Sequence, residues 1–374
     1  MTDLFKEPAR STASNRTCGE DNARLVHVLL LDLEYMAAHE KKHPGYYVTR
    51  RVDLLDDSRR INEEIREAVL GHPCIEPGNV RFFTDPYTFI SNLAAHRLDV
   101  KCVLNFCDDF TDRVGLWSMP ILFDMLDLPA CGYGASGMLA HNKFHAYSVA
   151  RQFNIAVPES RLVTSENAAI VHFDEVPLLV KPNDAGGSEG ITFRNLARCE
   201  GQLRAIIDEL LGQFSELLVS EYLPGDELTV SLMRRGRDII PLPIKQVSFR
   251  NFSEDPAIIT SDFKWDKTTL GDRDLVAKIF DGDPSIKDRV IRDSIKLFKV
   301  LGCKDFARVD WKCDADGEPR FIDFNESPMI SASSSFTWCL ERGGFTRHDL
   351  FVAMIDNVLA AMDGTSTQGK KPGI

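Results

Sequence analysis

The stretch FARVDWKCDADGEPRFIDFNESPM, from Phe306 to Met329, leaves the chain little choice of local fold. Arg308 to Cys313 and Arg320 to Asn325 alternate as strands, and Asp316-Gly317 between them signals a two-residue type I′ hairpin turn. A turn centred on that pair sets Asp310 opposite Asp323 and Arg308 opposite Asn325. Because side chains on a strand alternate between faces, these four share one face, while Val309, Trp311, Ile322 and Phe324 form an apolar opposite face. Carboxylates directly opposite on neighbouring strands have Cβ atoms about 4.5–5.5 Å apart and repel, so this hairpin wants a cation between them. Hard oxygen donors from Asp310, Asp323 and the Asn325 amide suit magnesium, which takes one or two carboxylates and completes its shell with water and phosphate oxygens. A solvated acidic sheet face is the alternative for two aspartates taken alone.

The chain around the hairpin is long enough for large cores: 374 residues at 44% hydrophobic content favour roughly two or three domains over one. A net charge of -12 argues against nucleic acid as a partner and leaves room for a local basic pocket for phosphates. Nine cysteines without CxxC pairs fit a reducing compartment and no disulfide framework. The apolar run around Val26 to Leu33 is too short to span a membrane and lacks signal-peptide flanks, so a soluble cytoplasmic protein with no membrane partner is expected. Residues 1–23 and 364–374 have the composition of flexible tails. Leu25 to Leu31 reads as a buried parallel strand, followed by a helix around Glu34 to Lys42, a second apolar strand at Val100 to Phe106 and a helix at Leu116 to Leu126. This alternation predicts an α/β domain with a parallel sheet over residues 24–130.

Two motifs in this first part promise more than their context supports. His39 to His43 matches HExxH, but Pro44-Gly45 ends the helix at once, both variable positions are lysine, and no third ligand stands nearby. It reads as a solvated helix end. Gly132 to Gly137 matches GxGxxG, but Pro129 spoils the strand that should precede it, so it reads as a glycine-rich turn into a helix from Met138 to Phe153.

That helix carries Lys143, and a strand at Pro177 to Lys181 delivers Lys181 into the loop holding Gly186, Gly187, Ser188 and Gly190. Backbone N–H groups of such a loop close over phosphates, although it lacks the GK[ST] of a P-loop, and a hairpin turn is the plainer alternative. After a helix at Glu200 to Leu211, the segment SEYLPGDE places Glu221 in an apolar strand. Its Leu223-Pro224-Gly225 turn is expected to bring Glu227 back beside Glu221, an edge suited to an adenine amino group and a ribose. Pro241 to Val247 reads as a further strand, Lys264-Trp265 lies in a long connection, and a helix from Ser285 to Gly302 leads into the hairpin.

Taken together, Lys143 on its helix, LLVKP with GGSEG, SEYLPGDE, Lys264-Trp265, and RVD followed by DFNESPM resemble the ATP-grasp superfamily, and within it the D-alanine:D-alanine ligases. The resemblance spans about Val103 to Ser335. It implies an α/β, three-domain ATP-grasp fold: the N-terminal domain at 24–130, a central subdomain at 131–216 and a C-terminal subdomain with the metal site at 217–363. Carried over by position, it makes Lys143, Lys181, Gly186, Gly187 and Ser188 phosphate contacts, Glu221, Tyr222 and Leu223 the adenine edge, and Glu227 the ribose partner. Lys264 becomes a γ-phosphate contact, Asp310, Asp323 and Asn325 the metal ligands, and Arg308 the oxyanion partner. Ser333 and Ser334 stand nearest the serine that binds the acceptor's carboxylate, with a serine-rich helix cap as their plainer role. The implied cofactors are ATP and Mg2+, two ions, with Mn2+ as a substitute, and the implied assembly is a homodimer.

This chain departs from the family at several points. Asp323 stands where glutamate is usual, Trp265 replaces a tyrosine, and Pro328-Met329 lacks the intervening glycine. NFCDDFTDRVG from Asn105 stands in place of the HG...GEDG segment. The expected activity is ATP-dependent carboxylate–amine ligation through an acyl phosphate, giving ADP and phosphate, on an amino-acid or peptide-like substrate. Arg308, Lys264 and Ser188 are the catalytic candidates. A different acceptor such as a thiol, closure of a ring within one substrate, and a non-catalytic ATP-binding module are the alternatives.

Overall fold

The computed structural model describes residues 25–30, 52–106, 115–134, 137–169, 177–252, 256–260 and 274–362. The HExxH motif, the helix expected at Glu34 to Lys42, Lys264-Trp265 and both tails lie outside them. The chain divides into two compact units, one of Met1–Gly132, Arg234–Asp238 and Met329–Ile374, the other of Tyr133–Met233 and Ile239–Pro328.

In the first unit, β1 (Leu25–Leu29), β2 (Val80–Phe83) and β3 (Val100–Asn105) form the expected parallel sheet, in the order β2-β1-β3. The helices are α1 (Val52–Leu70), α2 (Pro86–Ala95) and α3 (Gly115–Met125). Asp85 starts α2 by accepting the N–H groups of Tyr87 and Thr88, and Pro86 fits the first turn, where its missing N–H is no loss. Leu29, Phe83, Phe89, Leu93, Val103 and Phe123 make the core.

The second unit begins with a correction. The helix expected from Met138 to Phe153 is broken into α4 (Met138–His141) and α5 (Lys143–Gln152). Asn142 between them is extended, with φ -81° and ψ 109°, and its side chain caps α5 by accepting the His145 N–H. Asn183 completes the break by accepting the Lys143 N–H on its carbonyl and the Phe144 N–H on its side chain. The sheet that follows is antiparallel: β4 (Ser160–Thr164), β5 (Leu178–Pro182), β6 (Leu196–Ala197) and β7 (Glu216–Glu221), in the order β4-β7-β5-β6. Helix α6 (Glu200–Leu211) buries Leu203, Ile207 and Leu210, a helical stripe, in the core of that sheet.

From β7 the chain passes into a second sheet through Leu223-Pro224-Gly225. The turn carries the chain from one sheet to the other, so that Glu221 ends β7 and Glu227 opens β8. Glycine is required there, since a Cβ at Gly225 would lie 2.8 Å from both Cβ and carbonyl oxygen of Cys313. Gly225 N–H donates to the Cys313 carbonyl, and Cys313 N–H to the Asp226 carbonyl, each at 2.9 Å. The second sheet holds β8 (Glu227–Arg235), β9 (Asp238–Pro241), β10 (Lys245–Arg250), β11 (Asp274–Ile279), β12 (Phe306–Cys313) and β13 (Pro319–Asn325). Its order is β11-β10-β8-β12-β13, with β9 paired to β8. The strand expected at Pro241 to Val247 is therefore the end of β9 and the start of β10, because Pro243 has no N–H for a ladder. Helix α7 (Pro284–Val300) is capped by Asp283 and contributes Ser294, whose hydroxyl accepts the Trp311 indole N–H at 3.1 Å. Tyr147, Phe298, Trp311 and Phe321 are fully buried in this core.

The hairpin pairs as expected at its functional end: Arg308 faces Asn325 and Asp310 faces Asp323. Two departures cancel to give that result. The turn is a three-residue loop, in which Gly317 donates to the Asp314 carbonyl with φ +84° and Asp314 donates to the Glu318 carbonyl. The Asp314 carboxylate accepts the N–H groups of Asp316 and Glu318 and favours this longer loop. An irregularity between Asp310 and Trp311 on β12, opposite Ile322, then restores the pairing. Consequently Phe321, not Ile322, is the β13 residue buried with Trp311.

Helices α8 (Ser335–Arg342) and α9 (Arg347–Met362) end the described chain, back in the first unit. Arg347 there donates to both Glu64 oxygens, at 2.6 and 2.9 Å, and to Asp57 at 3.3 Å, while Asp57 accepts the Ala332 N–H. None of the described helices is long and apolar enough to cross a membrane.

Candidate active site

Strand pairing, rather than any loop, assembles the acidic face. With β8 on one side of β12 and β13 on the other, Asp310 lies between Thr229 and Asp323, and Arg308 between Ser231 and Asn325. Arg308 grips Asp310 from Nε and Nη2 at 2.8–3.0 Å, and Thr229 donates its hydroxyl to Asp310 Oδ1 at 3.0 Å. Asn325 Nδ2 donates to Asp310 Oδ2 at 3.2 Å and to Asp323 Oδ2 at 3.5 Å. The Arg308 guanidinium thus places one cation against Asp310. Among the described residues no group of three or more His, Cys, Asp or Glu side chains is arranged for a metal; what this face offers is two carboxylates, Asp310 and Asp323, and the Asn325 amide. Hard oxygens of this kind fit magnesium, provided that the Asn325 amide turns its oxygen inward.

Lys143 and Lys181 both feel the charge of Asp323. Each is 7% exposed, and burial lowers both pKa values against the opposing pull of Asp323; that of Lys181 falls to about 8. Lys143 Nζ donates to the Ala185 carbonyl at 2.6 Å, at the root of the glycine-rich loop. Lys181 Nζ donates to the Tyr147 hydroxyl, which donates in turn to the Ile322 carbonyl on the hairpin, each at 3.1 Å. The loop itself is tightly folded. Gly187, Ser188 and Gly190 have φ of +61°, +66° and +68°, and Gly186 and Ser188 carbonyls accept from Glu189 and Ile191. A Cβ at Gly190 would fall 2.7 Å from Pro182 and 2.9 Å from the Phe214 ring.

Where the chain crosses between the sheets, Glu221 accepts the Glu159 N–H at 3.2 Å, Leu223 is buried, and the Tyr222 hydroxyl accepts the Ala257 N–H at 2.7 Å. Glu227 pairs with Lys312 at 3.4 Å. Lys143, Lys181, the loop, Glu221 to Glu227, Arg308, Asp310, Asp323 and Asn325 all belong to the second unit. Ser333 and Ser334 belong to the first, where Ser333 is exposed and Ser334 caps α8 by accepting the Thr337 N–H. Lys264 is outside the described residues. The sequence reading missed Thr229, Tyr147 and Lys312. Lys312 follows from the alternation of β12 itself, whereas Thr229 follows only once β8 is known to flank β12, and nothing in one sequence names that neighbour.

The pattern of the family described as D-ala D-ala ligase C-terminus matches residues 151–356. D-alanine--D-alanine ligase A of Bacillus cereus is 27% identical over 234 residues, which is 61% of this chain and 72% of that protein. D-alanine--D-alanine ligase from Bacillus anthracis, solved in complex with ATP, superposes with a TM-score of 0.62 at 18% identity, covering 92% of this chain and all of that one. The VanG D-Ala:D-Ser ligase from Enterococcus faecalis gives 0.60 at 16% identity, covering 91% and 99%. These likenesses show the same ATP-grasp fold.

Proposed function

The chain belongs to the D-ala D-ala ligase C-terminus family, and from that premise we propose that it is an ATP-dependent ligase joining a carboxylate to an amine through an acyl phosphate. The observation that supports the reading is Arg308 bonded to Asp310 on the face that also holds Asp323 and Asn325, with two buried lysines, Lys143 and Lys181, in electrostatic reach of Asp323. Two carboxylates and an amide would hold magnesium, or manganese in its place, which neutralises charge on the transferring phosphoryl group. Lys143, Lys181 and the backbone of Gly186 to Ser188 orient the triphosphate, Glu221 to Leu223 the adenine, Glu227 the ribose, and Lys264 the γ-phosphate. A substrate carboxylate then attacks the γ-phosphorus in line, and ADP leaves. The amine of the second substrate attacks the acyl carbon, phosphate departs, and Arg308 holds the oxyanion in between. Ser188 and its loop exclude water, which would otherwise hydrolyse the acyl phosphate.

The substrates are small amino acids or peptide-like molecules, and Ser333 is the better match for a grip on the acceptor's carboxylate because the Ser334 hydroxyl serves α8. The relatives act on D-alanine and D-serine by name, so pairs of D-amino acids are the first to screen, with phosphate release as the readout. Spent nucleotide from any active pair should be ADP. AMP with pyrophosphate would rule out the acyl-phosphate route.

A further inference from the structure

The alternation that places Arg308 and Asp310 on the acidic face of β12 brings Lys312 to it as well. Lys312 is 6% exposed, and the strand register sets it directly opposite Glu227 on β8. Its Nζ lies 3.4 Å from Glu227 Oε1, donates to the Ala257 carbonyl at 2.7 Å, and sits 3.8 Å from the centroid of the Phe249 ring. Ala257 is also held at its N–H, by the Tyr222 hydroxyl. The nearby Asp226 carboxylate is engaged elsewhere, accepting from Gln246 Nε2 and Ser248 Oγ at 2.6 Å each. In the Glu227 pair, the lysine side chain is 8% exposed and the carboxylate 20%, so the ammonium lies inside and the carboxylate reaches outward.

An ammonium buried in an aromatic seat is a poor choice for stability alone, because an apolar side chain of like volume fills the space without the desolvation penalty. What only a cation does here is fix a carboxylate in one orientation, with its free lone pairs aimed at hydroxyl groups. We propose that Lys312 is a positioning residue for nucleotide selection: it holds Glu227 in the orientation that accepts from the ribose, and thereby separates a ribonucleoside triphosphate from its deoxy analogues. The assignment rests on the ligase reading, in which Glu227 meets the ribose.

Calorimetric titration with ATP, 2′-deoxyATP and 3′-deoxyATP tests it, applied to the wild type, Lys312→Met, Glu227→Gln and the double variant. Wild type should bind ATP on the order of tenfold more tightly than at least one deoxy analogue, the worth of a hydrogen bond to a charged group. Lys312→Met should lose most of that ratio, Glu227→Gln should lose it too, and the double variant should lose no more than either single change. Lys312→Arg, which keeps the charge and shifts its angle, should retain part of it, and carries the same cycle if circular dichroism shows Lys312→Met unfolded. A Lys312 variant with the wild-type ratio, or losses that add in the double variant, would overturn the proposal. Wild type that binds ATP without discrimination overturns the role of Lys312 alone, whereas wild type that binds no ATP overturns the nucleotide reading beneath it.

Discussion

Lys181 carries its charge against its surroundings. Burial lowers its pKa to about 8, so the free protein disfavours the ammonium that a phosphate needs. For a lysine with a folded pKa below the unfolded one, the penalty is complete below about 8 and fades as the pH rises from there to the ordinary 10.5, so this group's contribution to stability improves across that window. Nucleotide binding at pH 8.5 should therefore take up a proton, seen as a binding heat that varies with the ionisation enthalpy of the buffer, and Lys181→Met should abolish the variation. Asp323 opposes the lowering, so Asp323→Asn should move the onset of proton uptake below pH 8 in the same titrations. Asp310 has a different part. Facing carboxylates alone suggest that removing one relieves repulsion, yet Arg308 already grips Asp310 through two nitrogens. Asp310→Asn should consequently destabilise by about 1–3 kcal/mol in urea denaturation while abolishing turnover; a more stable variant would show that repulsion outweighs the Arg308 bond.

The hairpin and the crossing between sheets decide the site at the scale of elements, and both hinge on a glycine. Gly317, at φ +84° with open space around it, should tolerate alanine at about 1 kcal/mol. Gly225 has backbone atoms of Cys313 and Asp314 within 2.9 Å of where a Cβ would sit, so alanine there should cost about 3 kcal/mol and disturb both sheets. Comparing the two in urea denaturation separates a conformational effect from a steric one. The hairpin also shows what a single sequence discloses. Alternation marks Asp310 and Asp323 within their own strands, but their direct pairing follows only because the longer turn and the shift at Ile322 offset each other. The turn type and the shift at Ile322 were not legible, since the Asp314 side chain that selects the loop competes with the Asp316-Gly317 signal. Likewise, Asn183 helps to break the helix at Asn142 from forty residues away in the chain, roughly a span that no periodicity window reaches.

Across the whole molecule, sensitivity to acid should be unevenly shared. His27 on β1 is fully buried among Phe83 and Phe89, neither ring nitrogen has a hydrogen-bond partner among the described residues, and burial lowers its pKa to about 4. Between pH 6.5 and about 4 the unfolded chain binds a proton there that the folded one does not, so stability falls with pH, by up to about 3 kcal/mol. Hydrogen exchange at pH 5 and 7, corrected for intrinsic rates, should show β1 to β3 losing protection in acid before the strands of the second unit, and His27→Leu should remove the difference. Uniform loss would assign the sensitivity elsewhere. The clasp between Arg308 and Asp310 bears on traffic through the enzyme. A guanidinium held by an aspartate is withheld from an incoming acyl group, and the aspartate is equally withheld from a cation. On the proposed assignment a cation arriving with the nucleotide would compete for Asp310 and so would free Arg308 for the acyl group. Product-inhibition patterns test that coupling: nucleotide binding first is the expected order, and random order would overturn it, without any knowledge of which amine comes last.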